Sequence, residues 1–400
     1  MPIGPNILAQ SKLPLTFEVI NPGDIGIEPP ENRIGDSLRT WVRSLSVFQK
    51  EAIVASSRTG LVWRLASDEG PYLDGHDEAS CPLSFLTVGM IASYMNEIMA
   101  LAKQQELVIR QIRLIQDNYY TMEGSMRKRT MVGGALPVEL TVEIDCDLDD
   151  APLNALLLNA IAASPINGLM RGKLESLFAL SKNSCQIELG KSKPIEGLLY
   201  GDPENKFDGY EAKGSVLNEP IVEPVGVTPK KEIPGGTSAA GSSLADEQSR
   251  TLNIGGICTL REDGIKEITQ LQYSPHGTSF KLLSEEAEVN GGMGRAPDAN
   301  TYISAGVAFC FMTQFGRFVK MLDLDLKEYR VVQDSYFSLG GASGGTGQAG
   351  TAHPLETHVY LETNESDDVA REMLDISEQT CFLHAFCRTD MKTKLRVVRL

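Results

Sequence analysis

No run of about eighteen uninterrupted apolar residues, the least that a bilayer-spanning helix needs, occurs in the 400 residues. The two most apolar stretches are broken by Ser93, Asn96 and Glu97 and by Thr313, Gln314 and Arg317, so no membrane span is expected. Residues 1–15 lack a basic segment followed by an apolar core and a cleavage site, which speaks against a secretory leader. Basic residues are the scarcer sign, 37 against 53 acidic, for a net charge of −16. That balance argues against nucleic-acid binding through the phosphate backbone and against adhesion to an anionic membrane. The seven cysteines (Cys81, Cys146, Cys185, Cys258, Cys310, Cys381, Cys387) are odd in number, scattered, and form no CxxC pair. A disulfide framework and structural zinc are therefore not expected, and a reducing, cytoplasmic setting suits the chain better. Histidines are few, and His353 and His358 flank a strand rather than share a helix face, so no metal is expected there. The glycine-rich run Gly340–Gly347 is followed by no Gly-Lys-Ser/Thr and reads as a hairpin loop rather than a phosphate cradle.

What is present fits two cores. The hydrophobic content of 42% is ordinary for globular chains, and 400 residues exceed one typical domain. Residues 1–45 read as an N-terminal extension, turning helical in flavour from Asp36 to Val42 and packing through Trp41. A hairpin is expected over Ala52–Ala55 and Leu61–Leu65, then a long apolar helix opened by Pro82 and running to about Glu106. Alternating segments at Val108–Tyr120 and Val138–Asp145 predict half-buried strands, joined through the solvated loop Arg127-Lys128-Arg129. A second helix spans Ala151 to Leu169, behind Asp149 and Asp150. The first domain is placed at 46–201. Residues 202–249, rich in Pro, Gly, Ser and Glu, read as a linker with little core of its own, and a second domain fills 250–400.

The second domain repeats the first. Adding 217 carries Arg113-Leu114-Ile115-Gln116-Asp117 onto Arg330-Val331-Val332-Gln333-Asp334, Gly89 onto Gly306, Pro137 onto Pro354 and Val142 onto Val359. No gap is needed from Pro82 to about Arg171. An internal duplication whose halves pack as a pseudo-symmetric pair is expected. At the same offset Ser93 falls on Cys310 and Ser164 on Cys381, so both thiols of the second half are hydroxyls in the first.

Strands, a long buried helix bearing Ala308-Phe309-Cys310, further strands, and a second helix with a cysteine near its middle, in Thr380-Cys381-Phe382 and matched by Ala163-Ser164-Pro165, together resemble the OsmC/Ohr family of thiol-dependent peroxidases. The resemblance implies an α+β fold: two OsmC-like domains, each with an antiparallel sheet and a long buried central helix, packed as a pseudo-dimer. It further implies Cys310 as the attacking cysteine and Cys381 as the resolving one, with Arg261, in Arg-Glu-Asp-Gly, favouring the thiolate and Arg58 as its counterpart across the interface. Asp298 is the nearest acid that would orient such an arginine. Asp298, Phe309, Phe311 and His384 are the candidate substrate contacts, His384 being either a base or a core histidine. The first half, with Ser93 and Ser164, would be a degenerate site, since a serine alkoxide is out of reach at neutral pH. The implied function is reduction of a small, apolar organic hydroperoxide without a bound cofactor, regenerated by an external dithiol. Two alternatives stay open: a cofactor-free cysteine hydrolase or lyase, and a non-catalytic ligand- or partner-binding protein. Further assembly of the fused chain as a homo-oligomer also stays open.

Overall fold

Two long helices, α2 and α5, cross at the middle of the protein, and their glycines explain how closely they meet. The computed structural model describes residues 4–28, 35–46, 48–233 and 243–400. In chain order the elements are α1 (Ile7–Ser11), β1 (Thr16–Ile20), β2 (Gly35–Ser46), β3 (Gln49–Ser56), β4 (Val62–Ser67), α2 (Pro82–Gln104), β5 (Ile109–Ser125) and β6 (Val132–Cys146). There follow α3 (Asp150–Ala163), α4 (Ile166–Arg171), β7 (Leu177–Lys182), β8 (Cys185–Ile187), β9 (Lys193–Pro194), β10 (Glu211–Ala212) and β11 (Val222–Val227). The rest are β12 (Glu247–Leu260), β13 (Lys266–Ser274), β14 (Thr278–Ser284), α5 (Ala299–Leu322), β15 (Glu328–Ser338), β16 (Glu356–Glu362), α6 (Asp367–Thr380), α7 (Phe382–Arg388) and β17 (Thr393–Arg399).

The fold is mixed α+β, with two mixed sheets. One sheet runs β10-β1-β4-β3-β2-β15-β16-β7-β8, with β9 beside β7; the other runs β11-β14-β13-β12-β5-β6-β17. Most pairs are antiparallel, but β16 with β7, β9 with β7 and β17 with β6 are parallel. Both sheets draw strands from both halves of the sequence: β2 pairs with β15, and β12 with β5. Neither half therefore closes a sheet alone, and the loss of one would leave long strand edges unpaired.

The 217-residue offset is visible in the elements. Subtracting it from the bounds of α5, α6 and α7 gives 82–105, 150–163 and 165–171, against α2, α3 and α4 at 82–104, 150–163 and 166–171. Contacts exchange in the same way. A Cβ on Gly89 would lie 2.6 Å from the Ala299 carbonyl and 2.6 Å from Ile303, and one on Gly306 would lie 2.8 Å from the Leu86 amide and 3.1 Å from the Pro82 carbonyl. Each glycine thus admits the first turns of the opposite helix at a distance that any side chain would prevent. By length and composition α2 passes for a membrane span, but 78% of its most apolar window is buried in the protein.

Four expectations are corrected here. Asp36 to Val42 is strand, not helix: β2 sits mid-sheet between β3 and β15 with both faces buried, Thr40 and Val42 on one and Trp41 on the other, residue types that favour strand. The segment is therefore part of a sheet, not an appended extension. The expected linker also carries structure: β11 pairs with β14, and Phe207 is buried in a small cluster with Phe17, Trp41 and Tyr360. Pro234-Gly235-Gly236 and residues 238–242 lie outside the described residues. Finally, the helix expected at 151–169 breaks at Ser164-Pro165, where Ser164 turns extended.

Candidate active site

Helix α5 places Cys310 at its centre. Asp298 caps its start, the carboxylate accepting from the Thr301 amide at 2.7 Å, and Lys320 lies in its last turn, both as the helix dipole favours. Nearly every side chain along it is buried, so the thiol sits in the core, 2% exposed. Helix α6 is amphipathic, with Asp367 and Asp368 in the first turn, Ser366 capping it, and Met373, Leu374, Ile376, Ser377 and Thr380 turned inward. It stops at Cys381, which adopts an extended backbone and is also the start of α7. That break turns the Cys381 sulfur toward α5.

The result is a buried dithiol. The Sγ atoms of Cys310 and Cys381 lie 3.5 Å apart, and both cysteines are unpaired thiols. In the first half Ser93 Oγ and Ser164 Oγ, the residues 217 earlier, hydrogen-bond at 2.6 Å. The two thiols differ in environment. Burial pushes the Cys310 thiol well up, the neighbouring Cys381 and the charge of Glu69 adding to it. For Cys381 burial acts the same way, but a hydrogen bond from Cys310, the charge of His384 and its backbone amide outweigh it and bring the thiol down to about 7. Either sulfur can donate; the cation beside Cys381 places the shared proton on Cys310.

His384 is fully buried. Its ring stacks on Phe311 at 5.2 Å, its Nδ1 bonds to Glu378, which also holds Arg388, and its Nε2 has no partner among the described residues. Burial lowers its pKa, but the charges of Cys381 and Glu378 raise it further, above the ordinary value.

Cys310, not Cys381, faces open space: a narrow cavity of about 30 Å³, with room for water-sized groups. Glu69, Tyr72 and Cys81 line it from the first half, Arg250 from β12, and Thr313, Gln314 and Arg317 from α5 itself. Glu69 is buried and accepts from Tyr72 Oη at 2.6 Å and from Thr313 Oγ1 at 2.8 Å; burial raises its pKa, and Lys50 opposes this. A second cavity, of about 40 Å³, holds Ser93, Asn96, Glu97 and Glu286. There Asn96 donates to Glu286 at 2.6 Å, as Thr313 does to Glu69. Both donors, and both glutamates, are 217 residues apart.

Several expected site residues fall elsewhere. Arg261 follows β12 and is held by Glu219 and Asp263, and Arg58 is exposed and reaches Asn290 at 3.4 Å; neither lines the cavity of Cys310. Each sits at a hairpin turn, where Glu219 and Asp263 hold Arg261 and Asn290 meets Arg58. Asp298 orients no arginine, being spent on the helix cap, and burial raises it to about 7. Phe309 packs on Phe85 at 5.4 Å and Phe311 on Phe178 at 5.4 Å, so both are core rather than substrate contacts. The Gly340–Gly347 loop joins β15 to β16 and wraps a carboxylate of the protein itself: the amides of Ala342 and Ser343 donate to Glu97 at 2.8 and 3.1 Å. His358 is buried under Tyr200, 4.4 Å between rings, and no cluster of metal-ligating side chains occurs among the described residues. Sequence reasoning missed Glu69, Tyr72, Cys81, Arg250 and Arg317. Of these, Glu69 carried a signal, since the offset lands it on Glu286.

Residues 292–396 match a family model described as OsmC-like protein, a stretch that contains both Cys310 and Cys381. Among solved structures, the chain is similar to an OsmC-like hydroperoxide resistance protein from Jannaschia sp. CCS1, at 19% identity over 32% of this chain and 79% of that one, with a TM-score of 0.21. No curated protein matches.

Proposed function

We propose that the chain is a cysteine-based, thiol-dependent peroxidase acting on organic hydroperoxides. The observation that carries it is the 3.5 Å dithiol of Cys310 and Cys381, with one sulfur facing a cavity, inside the segment that matches the OsmC-like family. The Cys381 thiolate takes the proton of Cys310 as the Cys310 sulfur attacks the outer peroxide oxygen; the O–O bond breaks, the alkoxide leaves and takes that proton to become the alcohol, and Cys310 becomes a sulfenic acid. The Cys381 thiolate then attacks that sulfur, and hydroxide leaves as water. Two thiols and one hydroperoxide thus give one disulfide, one alcohol and one water. An external dithiol, by exchange, returns the disulfide to thiols.

In this reading the two halves are a duplicated pair packed as a pseudo-dimer. The recurring element bounds and the reciprocal glycine contacts support it. Ser93 and Ser164 keep the geometry of the pair without its redox chemistry. Seven free thiols accord with a reducing, cytoplasmic setting.

The Glu378–His384 pair favours a second reading, a cysteine hydrolase with Cys381 as nucleophile. Against it, Cys381 is fully buried and does not line the cavity. Incubation with an alkyl hydroperoxide and a dithiol separates the two: peroxide consumption that is lost in Cys310→Ser supports the peroxidase, and no consumption by the wild type contradicts it.

A further inference from the structure

Arg250 and Arg317 face the cavity of Cys310 with no carboxylate among the described residues in their grasp. Arg317 is 1% exposed. Its guanidinium donates to the Ser243 carbonyl at 2.8 Å, to Gln314 Oε1 at 3.3 Å, and otherwise meets the sulfurs of Met131 and Met122 at 3.1 and 3.6 Å. Arg250 donates from Nη1 to Ser243 Oγ at 2.6 Å, and its buried Nε has no partner among the described residues. Glu69 is the carboxylate that lines the cavity, and its bonds come from Tyr72 and Thr313 rather than from either guanidinium. Residues 234–242, next to Ser243 in the chain, contain no acid. A buried and a half-buried cation thus face one carboxylate that neither touches, an arrangement that is costly unless an anion completes it. Burial draws both guanidiniums down, to about 10 for Arg250 and about 9 for Arg317, the charge of Arg250 adding to the effect on Arg317.

We propose that Arg250 and Arg317 form an anion site that takes the carboxylate of the small molecule reacting at Cys310. Planar guanidiniums with free N–H groups suit a carboxylate, which each can engage through two parallel bonds. Arg317 follows Cys310 by seven residues on α5, which puts it on the same helix face about 10 Å along the axis. A molecule with a few bonds between carboxylate and reacting atom spans that separation. The space of about 30 Å³ fits such a head group rather than a whole substrate. The proposal rests on Cys310 being the reacting thiol, and the carboxylate arrives on either the hydroperoxide or the reducing dithiol.

Calorimetric titration of the Cys310→Ser chain with acetate, and with neutral acetamide as control, reads the site without any turnover. Acetate is expected to bind and acetamide not, with affinity at least tenfold weaker in Arg317→Met or Arg250→Met. Methionine is chosen because it packs on Met122 and Met131. If either variant fails to fold, the acetate–acetamide comparison on the otherwise unaltered chain decides alone. No acetate binding, equal binding of acetamide, or binding that survives both substitutions overturns the proposal. Steady-state turnover then identifies the source: KM at least tenfold lower for a carboxylate-bearing hydroperoxide than for its methyl ester assigns the peroxide, and the same split between dimercaptosuccinate and dithiothreitol assigns the reductant. A chain that binds acetate but reduces no peroxide keeps the anion site and removes the peroxidase reading.

Discussion

Cys310 and Cys381 bring their sulfurs to 3.5 Å, while Cys310 alone reaches the cavity. A disulfide needs about 2.05 Å between sulfurs, so closing the bond takes a small movement at the break between α6 and α7. The roles then divide by access: Cys310 meets the peroxide and Cys381 resolves. In Cys381→Ser the sulfenic acid on Cys310 has no partner within reach. That variant is expected to consume one equivalent of hydroperoxide, trap a sulfenic-acid reagent, and pass to the irreversible sulfinic acid with excess oxidant. Full turnover with dithiol by Cys381→Ser would show that the resolving thiol lies elsewhere, with Cys81 the first to inspect.

The thiolate of the reduced pair should titrate near neutrality. Cys381 sits at about 7, against 9.0 for an ordinary thiol, because the bond from Cys310 and the charge of His384 outweigh burial. A depressed thiol stabilises the fold fully above its unfolded value near 9.0, and that contribution is lost as pH falls through about 7. His384, raised from 6.5, acts the opposite way, contributing fully below 6.5 and losing its effect as pH climbs through its folded value. Thiolate absorbance is expected to rise with a midpoint near 7, and His384→Gln is expected to move it up toward 9.0. A wild-type midpoint at 9.0 contradicts the assignment of His384.

The crossing of α2 and α5 should not tolerate a methyl group. At Gly306 it would come 2.8 Å from the Leu86 amide, and at Gly89 2.6 Å from the Ala299 carbonyl, backbone atoms that cannot swing aside. Gly306→Ala and Gly89→Ala are each expected to cost about 1–3 kcal/mol of stability, as overpacking does, read by denaturant unfolding. Wild-type stability in both would mean that the helices lie further apart.

Arg261 provides the converse case. Its guanidinium bonds to Glu219 and Asp263 at the surface, away from the thiol cavity. Arg261→Ala is expected to leave peroxide reduction within about twofold and to cost at most about 1 kcal/mol of stability, the range for exposed ion pairs. A hundredfold loss of activity would restore it to the mechanism.

The dithiol was legible in the sequence because a repeat carries its own ruler. Ser93 with Ser164 and Cys310 with Cys381 have the same spacing, and structure brings each couple together. The helices were legible for the same reason. The cavity was not, because its wall comes from elements far apart in the chain: Glu69 and Cys81 precede α2, while Arg250 lies on β12. Arg261 misled because a hairpin turn of the right composition fixes the residue but not the direction of its side chain. Asp36 to Val42 misled as well; charged Asp36 and Arg39 alternate with apolar neighbours over too short a span to separate helix from strand. Their partners, Ser56 and Asp334, are remote in sequence.

The most direct test is to add one equivalent of alkyl hydroperoxide to the fully reduced wild-type chain and map the linked peptides by mass spectrometry. A single Cys310–Cys381 disulfide, formed with loss of one equivalent of peroxide and reversed by dithiol, is expected. Thiols that stay reduced while the peroxide persists would contradict the assignment of Cys310 and Cys381 as a peroxide-reducing pair.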